Sequence, residues 1–452
     1  MSELVPSPQY APSSRSSLPF FLTEEQVLSL TSGLGARRQV RAILSKNAWL
    51  KRGRAGSVIW GEYPVNNRDP ILVQCDLTTF SVRCSCASRV RPCNHALALY
   101  LDYVKQPPAF FAGPSPVWLR EATDTPSADS LPVTSYAAVM QGLDDLERWL
   151  HDLMRAGMAD LPGKPKDFWP AISHRLADVQ LDELARTVKR LGSLPGSTRE
   201  WPTTLLPELG RIQLQIQAFR RWDDLTPEEQ GDLRLATGWL DETAWAAGEA
   251  TYDRRQVVAD EIRQDGLVTL RRTWLWGEAS NRPVELRRVT RGVTPGGRQD
   301  GLSQAAHLLP TGTGIAGSVC FFPATTRVCG RIGRTDSPEF YQPTTRLIGL
   351  SSLDEAQAQF RTALIANPWL MELPVLLSDM TARRQDDDWL LHDRQGAAVP
   401  LPDDFSRGWH LAALGQAPDS ALFGLWESSG FRPLSVRTAD RWVKLDTLRG
   451  VK

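Results

Sequence analysis

Three cysteines and one histidine between residues 84 and 95 have the side chains and the spacing of a metal site. Cys84, Cys86, Cys93 and His95 follow the pattern Cys-x-Cys, six residues, then Cys-x-His. Zinc binds four ligands in a tetrahedron and prefers thiolate sulfur and imidazole nitrogen. Since four protein ligands leave no position for water or substrate, the pattern predicts a structural zinc site rather than a catalytic one.

The segments around these residues predict how the four side chains meet. Strands are expected over 57–63 and 69–75, with a continuation over 80–84 that ends at the first cysteine. A helix is expected over 94–104. Cys93 then lies at a helix N-terminus, where the helix dipole favours a thiolate, and the histidine lies in the first turn.

Basic residues surround the cluster and dominate the segment before it. Three thiolates with one Zn²⁺ carry a net negative charge, which three nearby arginines offset: Arg83, Arg89 and Arg91. Residues 26–61 contain no acidic residue and seven basic ones: Arg37, Arg38, Arg41, Lys46, Lys51, Arg52 and Arg54. Together the two groups predict a phosphate-binding surface for nucleic acid, with Trp49 as a stacking residue. A solvated face that only keeps the module in solution is the alternative interpretation.

The segment over 82–99 resembles the SWIM zinc finger, whose pattern is Cys-x-Cys, a variable spacer, then Cys-x-His. The similarity includes the small residue Ala87 after the second cysteine, the basic spacer, and the Ala-Leu-Ala-Leu run after the histidine. Upstream, Trp60-Gly61-Glu62 and the strand over 70–75 are similar to the lead-in of bacterial SWIM proteins.

The segment that follows the finger is also similar to the helical region of that bacterial family. Its matching residues are Leu161-Pro162-Gly163, Phe168-Trp169 and Asp178-x-Gln180. The resemblance spans roughly residues 24–190, and for residues 266–452 we find none.

The resemblance implies zinc as the cofactor and a role in binding DNA or protein. Bacterial members are associated with MoxR-type AAA+ ATPases and with von Willebrand A-domain proteins, so these are the protein partners that it implies. Two hypotheses follow. The first is binding of nucleic acid, DNA in particular, through the basic N-terminal module. The second is a protein adaptor or assembly factor that works with a MoxR-type AAA+ ATPase and binds no nucleic acid.

A chain of 452 residues exceeds what one hydrophobic core normally organises, so several domains are expected. The predicted fold class is α+β, with a small zinc-binding module, a helical middle region and a β-rich C-terminal domain. The predicted parts are a disordered tail (1–22), the zinc-finger module (23–106), a linker (107–132), the helical domain (133–265) and the β-rich domain (266–452). The runs 346–350 and 410–414 are among the predicted strands.

Other residue patterns limit the function further. Cys75, Cys320 and Cys329 have no ligand spacing around them, so core packing is expected. Six cysteines in so long a chain do not form a disulfide framework, and neither a signal peptide nor a membrane-spanning run is evident. We therefore expect a cytoplasmic protein. No nucleophile elbow, HExxH motif or acid/base pair is present, so the sequence predicts a binding protein and not an enzyme.

Overall fold

The computed structural model describes most of the chain, in segments. These are residues 22–31, 33–46, 48–66, 68–88, 90–112, 116–119, 134–240, 245, 248–265, 268–291, 306–332, 338–403, 405–415, 420–439 and 441–445. The predicted disordered tail lies outside the described residues except for Leu22, which is buried and donates its backbone N–H to the Tyr100 hydroxyl at 2.9 Å.

Ten α-helices and nineteen strands are labelled here in chain order within these described segments. The helices are α1 (Glu24–Ser29), α2 (Leu34–Lys46), α3 (Asn94–Lys105), α4 (Tyr136–Ala156), α5 (Phe168–Asp178), α6 (Asp182–Leu191), α7 (Trp201–Arg220), α8 (Pro227–Thr237), α9 (Leu353–Ala366) and α10 (Gly408–Gly415). The strands are β1 (Lys51–Ala55), β2 (Val58–Val65), β3 (Arg68–Asp76), β4 (Ser81–Cys84), β5 (Phe111–Ala112), β6 (Ala250–Asp265), β7 (Val268–Gly277), β8 (Pro283–Arg291), β9 (Ala306–His307), β10 (Gly314–Phe321), β11 (Cys329–Ile332), β12 (Glu339–Tyr341), β13 (Glu372–Ser378), β14 (Thr381–Gln385), β15 (Asp388–His392), β16 (Ala398–Pro400), β17 (Ala421–Glu427), β18 (Gly430–Arg437) and β19 (Trp442–Lys444).

The N-terminal module is a sheet covered by α3, antiparallel except for the parallel pairing of β5 with β1. Its strand order is β5-β1-β2-β3-β4-β9, and the strands predicted from the sequence are confirmed as β2, β3 and β4. The edge strand β9 comes from the C-terminal part of the chain and pairs with β4 through Ser81 and Val82. The N-terminal module is therefore completed by residues more than two hundred positions away.

Part of the predicted linker belongs to this module. Phe110 is buried in the module's core and packs edge-on against Tyr103, with ring centroids 5.2 Å apart. Trp118 donates its indole N–H to the Glu62 carboxylate at 3.1 Å. The rest of the predicted linker, 113–115 and 120–132, lies outside the described residues.

The helical middle region consists of α4 to α8. The apolar residues of α4 recur at three- and four-residue steps, and Val139, Leu143, Leu146 and Leu150 are all buried. Thr226 caps α8 with a full capping box, because its side chain accepts from the Glu229 N–H while the Glu229 carboxylate accepts from its N–H. The predicted helical region is confirmed, and no described helix has the length and apolarity to span a membrane.

A central sheet with the order β11-β8-β7-β6-β10-β12 lies between the N-terminal module and the C-terminal strands. Successive side chains along a strand point to opposite faces. Val257 and Leu275 therefore belong to the core shared with the N-terminal module, whereas Val258 and Trp274 belong to a core shared with the C-terminal sheet. The longest strand, β6, lies inside residues 133–265, the range predicted as the helical domain. The limits of the domains stay a prediction.

The C-terminal part contains a four-stranded sheet, β13-β17-β18-β19, and a three-stranded sheet, β14-β15-β16. The β-rich character predicted from the sequence is confirmed. The strand predicted over 410–414 is wrong, because these residues form α10. The run over 346–350 is also not a strand, and only Leu350 makes an isolated bridge, to Leu377. Short apolar runs fit both helix and strand, so their period does not decide between them.

The helical region docks on the central sheet through α8. A Cβ atom on Gly231 would lie 1.6 Å from the Pro323 carbonyl oxygen, so only glycine permits this approach. Next to it, the buried Asp232 carboxylate accepts from the Thr325 hydroxyl at 2.6 Å and from its N–H at 3.2 Å. Burial raises the pKa of Asp232 to about 6, although the bonds from Thr325 act in the opposite direction.

We expect the Asp232→Asn variant to change the pH dependence of stability. Because the folded pKa lies above the unfolded one, the contribution of Asp232 to stability is fully present below the unfolded value and is lost as pH rises through about 6. Between pH 5 and pH 7.5 the wild type should therefore lose about 1 kcal/mol of unfolding free energy relative to the variant.

Urea denaturation of both proteins at the two pH values measures this difference. The exposed Asp387→Asn variant is the control, and its difference from wild type should stay constant. A constant difference for Asp232→Asn as well would show that this carboxyl is ionised throughout the range.

Candidate metal centre

Strand β4 and helix α3 position the four predicted ligands. Cys84 is the last residue of β4, and Cys86 follows in a turn that is held to the sheet by a bond from the Ser85 N–H to the Leu72 carbonyl at 2.9 Å. Cys93 is the N-cap residue of α3 and has an extended backbone, but its thiol makes no capping hydrogen bond. The sulfur thus remains able to bind a metal.

The four side chains converge in space. The sulfur atoms of Cys84, Cys86 and Cys93 and a ring nitrogen of His95 all lie within 4.8 Å of one another. Ligands bound to one tetrahedral zinc ion lie roughly 3.5–4 Å apart, given Zn–S bonds of about 2.3 Å. The three cysteines are buried, so the cluster is enclosed by protein.

The imidazole of His95 provides an independent test of whether an ion fits. Its Nδ1 atom is buried and has no hydrogen-bond partner among the described residues, and the ring packs against Tyr63 at 4.9 Å between centroids. A buried polar atom without a partner is unfavourable by about 1–3 kcal/mol. Three sulfurs and one ring nitrogen of His95 form a donor set that fits zinc, and these residues would hold the ion through four bonds.

The side chains of the cluster shift one another's pKa values. Burial raises the pKa of Cys84 well above its usual value, with hydrogen bonding to Cys86 and Cys93 acting in the same direction. Hydrogen bonds from Cys84 and Cys93 lower the pKa of Cys86 far below its usual range, against the effect of burial. Burial lowers the pKa of His95, but bonds to Cys86 and Cys93 outweigh it and raise the value to about 9. Cys86 is therefore favoured as a thiolate, a charge that a cation can neutralise.

Arg91 lies against the cluster and not on the surface. Its side chain is buried, and it donates to the Cys86 sulfur at 3.3 Å and to the Cys86 carbonyl at 2.8 Å. Burial acts to lower the pKa of Arg91, but the three cysteines outweigh it and the pKa is raised. The guanidinium is thus placed to offset the charge of a three-thiolate metal site.

The backbone of the same residue attaches the finger loop to the central sheet. The Arg91 carbonyl accepts from the Arg271 guanidinium at 2.9 Å. Arg271 in turn makes a bidentate ion pair with Asp260, with both N–O distances at 2.7 Å, and the Thr273 hydroxyl donates to the same carboxylate at 3.2 Å. All of these groups are buried, so a β6–β7 ion pair supports the loop between two metal ligands.

The other basic residues predicted as a surface do not all lie on one. Arg37, Arg38 and Arg41 are exposed on α2, and Lys46 is exposed at its end. Lys51 and Arg54 are exposed on β1.

Three members of the predicted basic set have other positions. Arg52 pairs with Asp102 on α3 and packs over the ring of Phe110 at 5.4 Å, so it is turned toward the module. Arg83 is half-buried on β4. Arg89 lies outside the described residues.

Trp49, the predicted stacking residue, is partly buried and packs against the core of the N-terminal module, and its stacking role stays a prediction. Its ring lies edge-on to Tyr63 at 5.6 Å, and Gly61 approaches it so closely that a Cβ there would be 2.8 Å away.

Among the described residues the four predicted ligands form the single group of three or more His, Cys, Asp or Glu side chains arranged to hold an ion. Cys75 is fully buried and outside it, as predicted.

Sequence reasoning missed Asp260 and Arg271, which support the metal loop. They lie about 180 positions beyond it, and no motif connects them to the cysteines. The sequence gives one indirect indication of them. The segment that forms β6 is rich in charged residues, and charged side chains in a buried strand must have partners of opposite charge.

The comparison with known families found a match to the helical middle region, outside the Cys/His cluster. Residues 135–237, the range that contains α4 to α8, match the family model of the SWIM-associated four-helix bundle domain. Neither the curated proteins nor the solved structures contain a match to the chain. The bundle domain and the Cys/His cluster together fit a SWIM-type protein with a site able to bind a metal ion.

We expect the Cys93→Ser variant to lose bound zinc and to unfold the N-terminal module. Metal binding free energy in such sites is folding free energy, ~10 kcal/mol or more in zinc-finger peptides. Zinc content by elemental analysis should be about one per chain in the wild type and near zero in the variant. The control is Cys320→Ser, a half-buried cysteine outside the cluster, which should keep its zinc. Equal zinc content in all three proteins would contradict the ligand assignment.

Proposed function

We propose that the chain is a zinc-binding SWIM-type protein whose metal site is structural, and that it binds nucleic acid, DNA in particular, through the N-terminal module. The zinc-holding role is supported by the enclosed Cys₃His cluster, because four protein ligands leave no coordination position for a reacting group. In this proposal the protein is not an enzyme, and the metal serves to fix the loop between Cys86 and Cys93 on the central sheet.

The observation that carries nucleic-acid binding is the charge of α2. This helix presents three exposed arginines and one exposed lysine: Arg37, Arg38, Arg41 and Lys46. It contains no acidic residue, so the charge of this face is not neutralised within the helix. Arginine and lysine on an exposed face contact phosphate oxygens, and such contacts provide most of the affinity in non-specific binding.

The alternative function, an adaptor that acts with a MoxR-type AAA+ ATPase or a von Willebrand A-domain protein, is supported by a different surface. Helix α7 carries two large apolar side chains that are exposed, Leu206 by 49% and Leu214 by 61%. Exposed apolar side chains that cluster on one element are typical of protein-binding surfaces. The two functions therefore use different parts of the molecule.

The nucleic-acid proposal is tested by binding of labelled double- and single-stranded DNA to the zinc-loaded protein at several salt concentrations. The test variant replaces three exposed residues of α2 by glutamine: Arg37, Arg38 and Arg41. The control variant makes the same change of charge at three exposed residues of the C-terminal part: Arg361, Arg383 and Arg407.

Wild type and control should bind with an affinity that falls steeply as salt rises. In the test variant the slope of log K against log salt should be smaller by about 3, because each lost phosphate contact removes about 0.9 from it. Absence of DNA binding by zinc-loaded wild type, or equal slopes for both variants, would overturn the proposal. Capture of a protein partner that depends on Leu206 and Leu214 would then support the adaptor.

A further inference from the structure

A cavity of about 320 Å³ lies where the helical region meets the central sheet. Its described lining includes Glu228 at the start of α8, Arg255 on β6 and Phe322 in the segment after β10. This volume is at the small end of the range for ligand sites in proteins, which is about 300–1,000 Å³. The cavity is separate from the metal centre, since it contains none of the Cys or His ligands.

Arg255 is a buried cation that has no ion-pair partner within the part of the chain that the structure describes. Only 2% of it is exposed, and its two terminal nitrogens donate to backbone carbonyls, at 2.9 Å to Gly317 and 3.0 Å to Thr251. Its Nε atom has no hydrogen-bond partner among the described residues. The carboxylate of Asp253 stabilises the charge from a distance, but it is itself bonded to the Ser280 hydroxyl at 2.7 Å.

The side chains that line the cavity carry one net positive charge, from three arginines and two glutamates. Arg282 is exposed, lines the cavity, and makes no side-chain hydrogen bond or ion pair with any described residue. Arg327 also lines it and pairs with Glu249 at 3.1 Å, so these two charges cancel. Arg255 and Arg282 then face a single remaining carboxylate of the lining, that of Glu228.

Part of the cavity wall is apolar, beside the polar side chains of Thr251 and Ser280. Val284, Phe322 and Ala324 line the cavity and are almost completely buried. A site with apolar walls and a few convergent charged groups selects a ligand that has both an apolar body and a charge of opposite sign. A buried guanidinium strengthens this selection, because a charge in a low-dielectric environment is stabilised strongly by an ion of opposite charge.

We propose that this cavity binds a small organic anion, a carboxylate or a phosphate monoester with an apolar body, whose charged group meets Arg282 and Arg255. The ligand lies between Glu228 of the helical region and strand β6 of the central sheet. Its binding therefore stabilises the docking of α8 on the segment 323–325. This site is independent of the nucleic-acid surface on α2.

The test uses the zinc-loaded full chain and isothermal titration calorimetry. The probes are benzoate, phenyl phosphate, the neutral isostere benzamide, and inorganic phosphate. Arg282→Ala is the main variant, since this side chain is exposed and its removal leaves the core intact. The matched control is Arg254→Ala, another exposed arginine of the same sheet that does not line the cavity.

We expect saturable binding of at least one aromatic anion to wild type and to Arg254→Ala, with an affinity at least tenfold lower in Arg282→Ala. Preference for benzoate or for phenyl phosphate identifies the charged group of the natural ligand. Equal binding of benzamide, binding of inorganic phosphate alone, unchanged affinity in Arg282→Ala, or no saturable binding of any probe would each overturn the proposal.

Discussion

Arg271 and Arg272 are neighbours on β7, and their side chains lie on opposite faces of the central sheet because side chains alternate along a strand. On one face Arg271, held by Asp260, donates to the Arg91 carbonyl of the metal loop. On the other face Arg272 pairs with Glu372 of the C-terminal sheet. Two consecutive arginines thus join the central sheet to the parts of the molecule on either side of it.

Buried charges of this kind constrain the fold more than they stabilise it. The network around Arg272 includes Glu285 at 2.5 Å, and Arg432 from β18 reaches Glu261 at 2.7 Å. The favourable Coulomb energy of a buried pair is largely offset by desolvation, whereas removing one partner is unfavourable by about 3–5 kcal/mol. The charges of this network are therefore paired when the three layers have this arrangement, and misplacement of any layer leaves one of them unpaired.

The metal centre depends on the same constraint. A metal ion bound by the four side chains would close the loop, and the bond from Arg271 to the Arg91 carbonyl holds that loop against the central sheet. Because Arg91 uses its guanidinium on Cys86 and its carbonyl on Arg271, one residue connects the ion site to the sheet. The Cys/His cluster is thus part of a larger core, to which strands from the C-terminal half of the chain contribute.

The parts of this structure that depend on local sequence could be predicted. The four candidate metal ligands could be recognised from the Cys-x-Cys and Cys-x-His pattern within twelve residues. Helix α4 could be recognised from the three- and four-residue steps between its leucines. Strand β6 could not be predicted, because Asp260 and Glu261 are polar residues in the sequence and become buried only through arginines far along the chain. Arg91 resembled a surface residue for the same reason, and nothing local shows that its partner is a buried thiol.

Hydrogen exchange followed by mass spectrometry on two zinc-loaded variants, Arg271→Gln and Arg272→Gln, tests the central claim most directly. The account predicts that Arg271→Gln lowers protection in 84–101, around the metal loop and α3, while β17 and β18 stay protected. It predicts the reverse for Arg272→Gln, with lower protection in 421–437 and an unchanged metal loop. Unchanged protection of 84–101 in Arg271→Gln, or the same pattern of loss in both variants, would contradict the account.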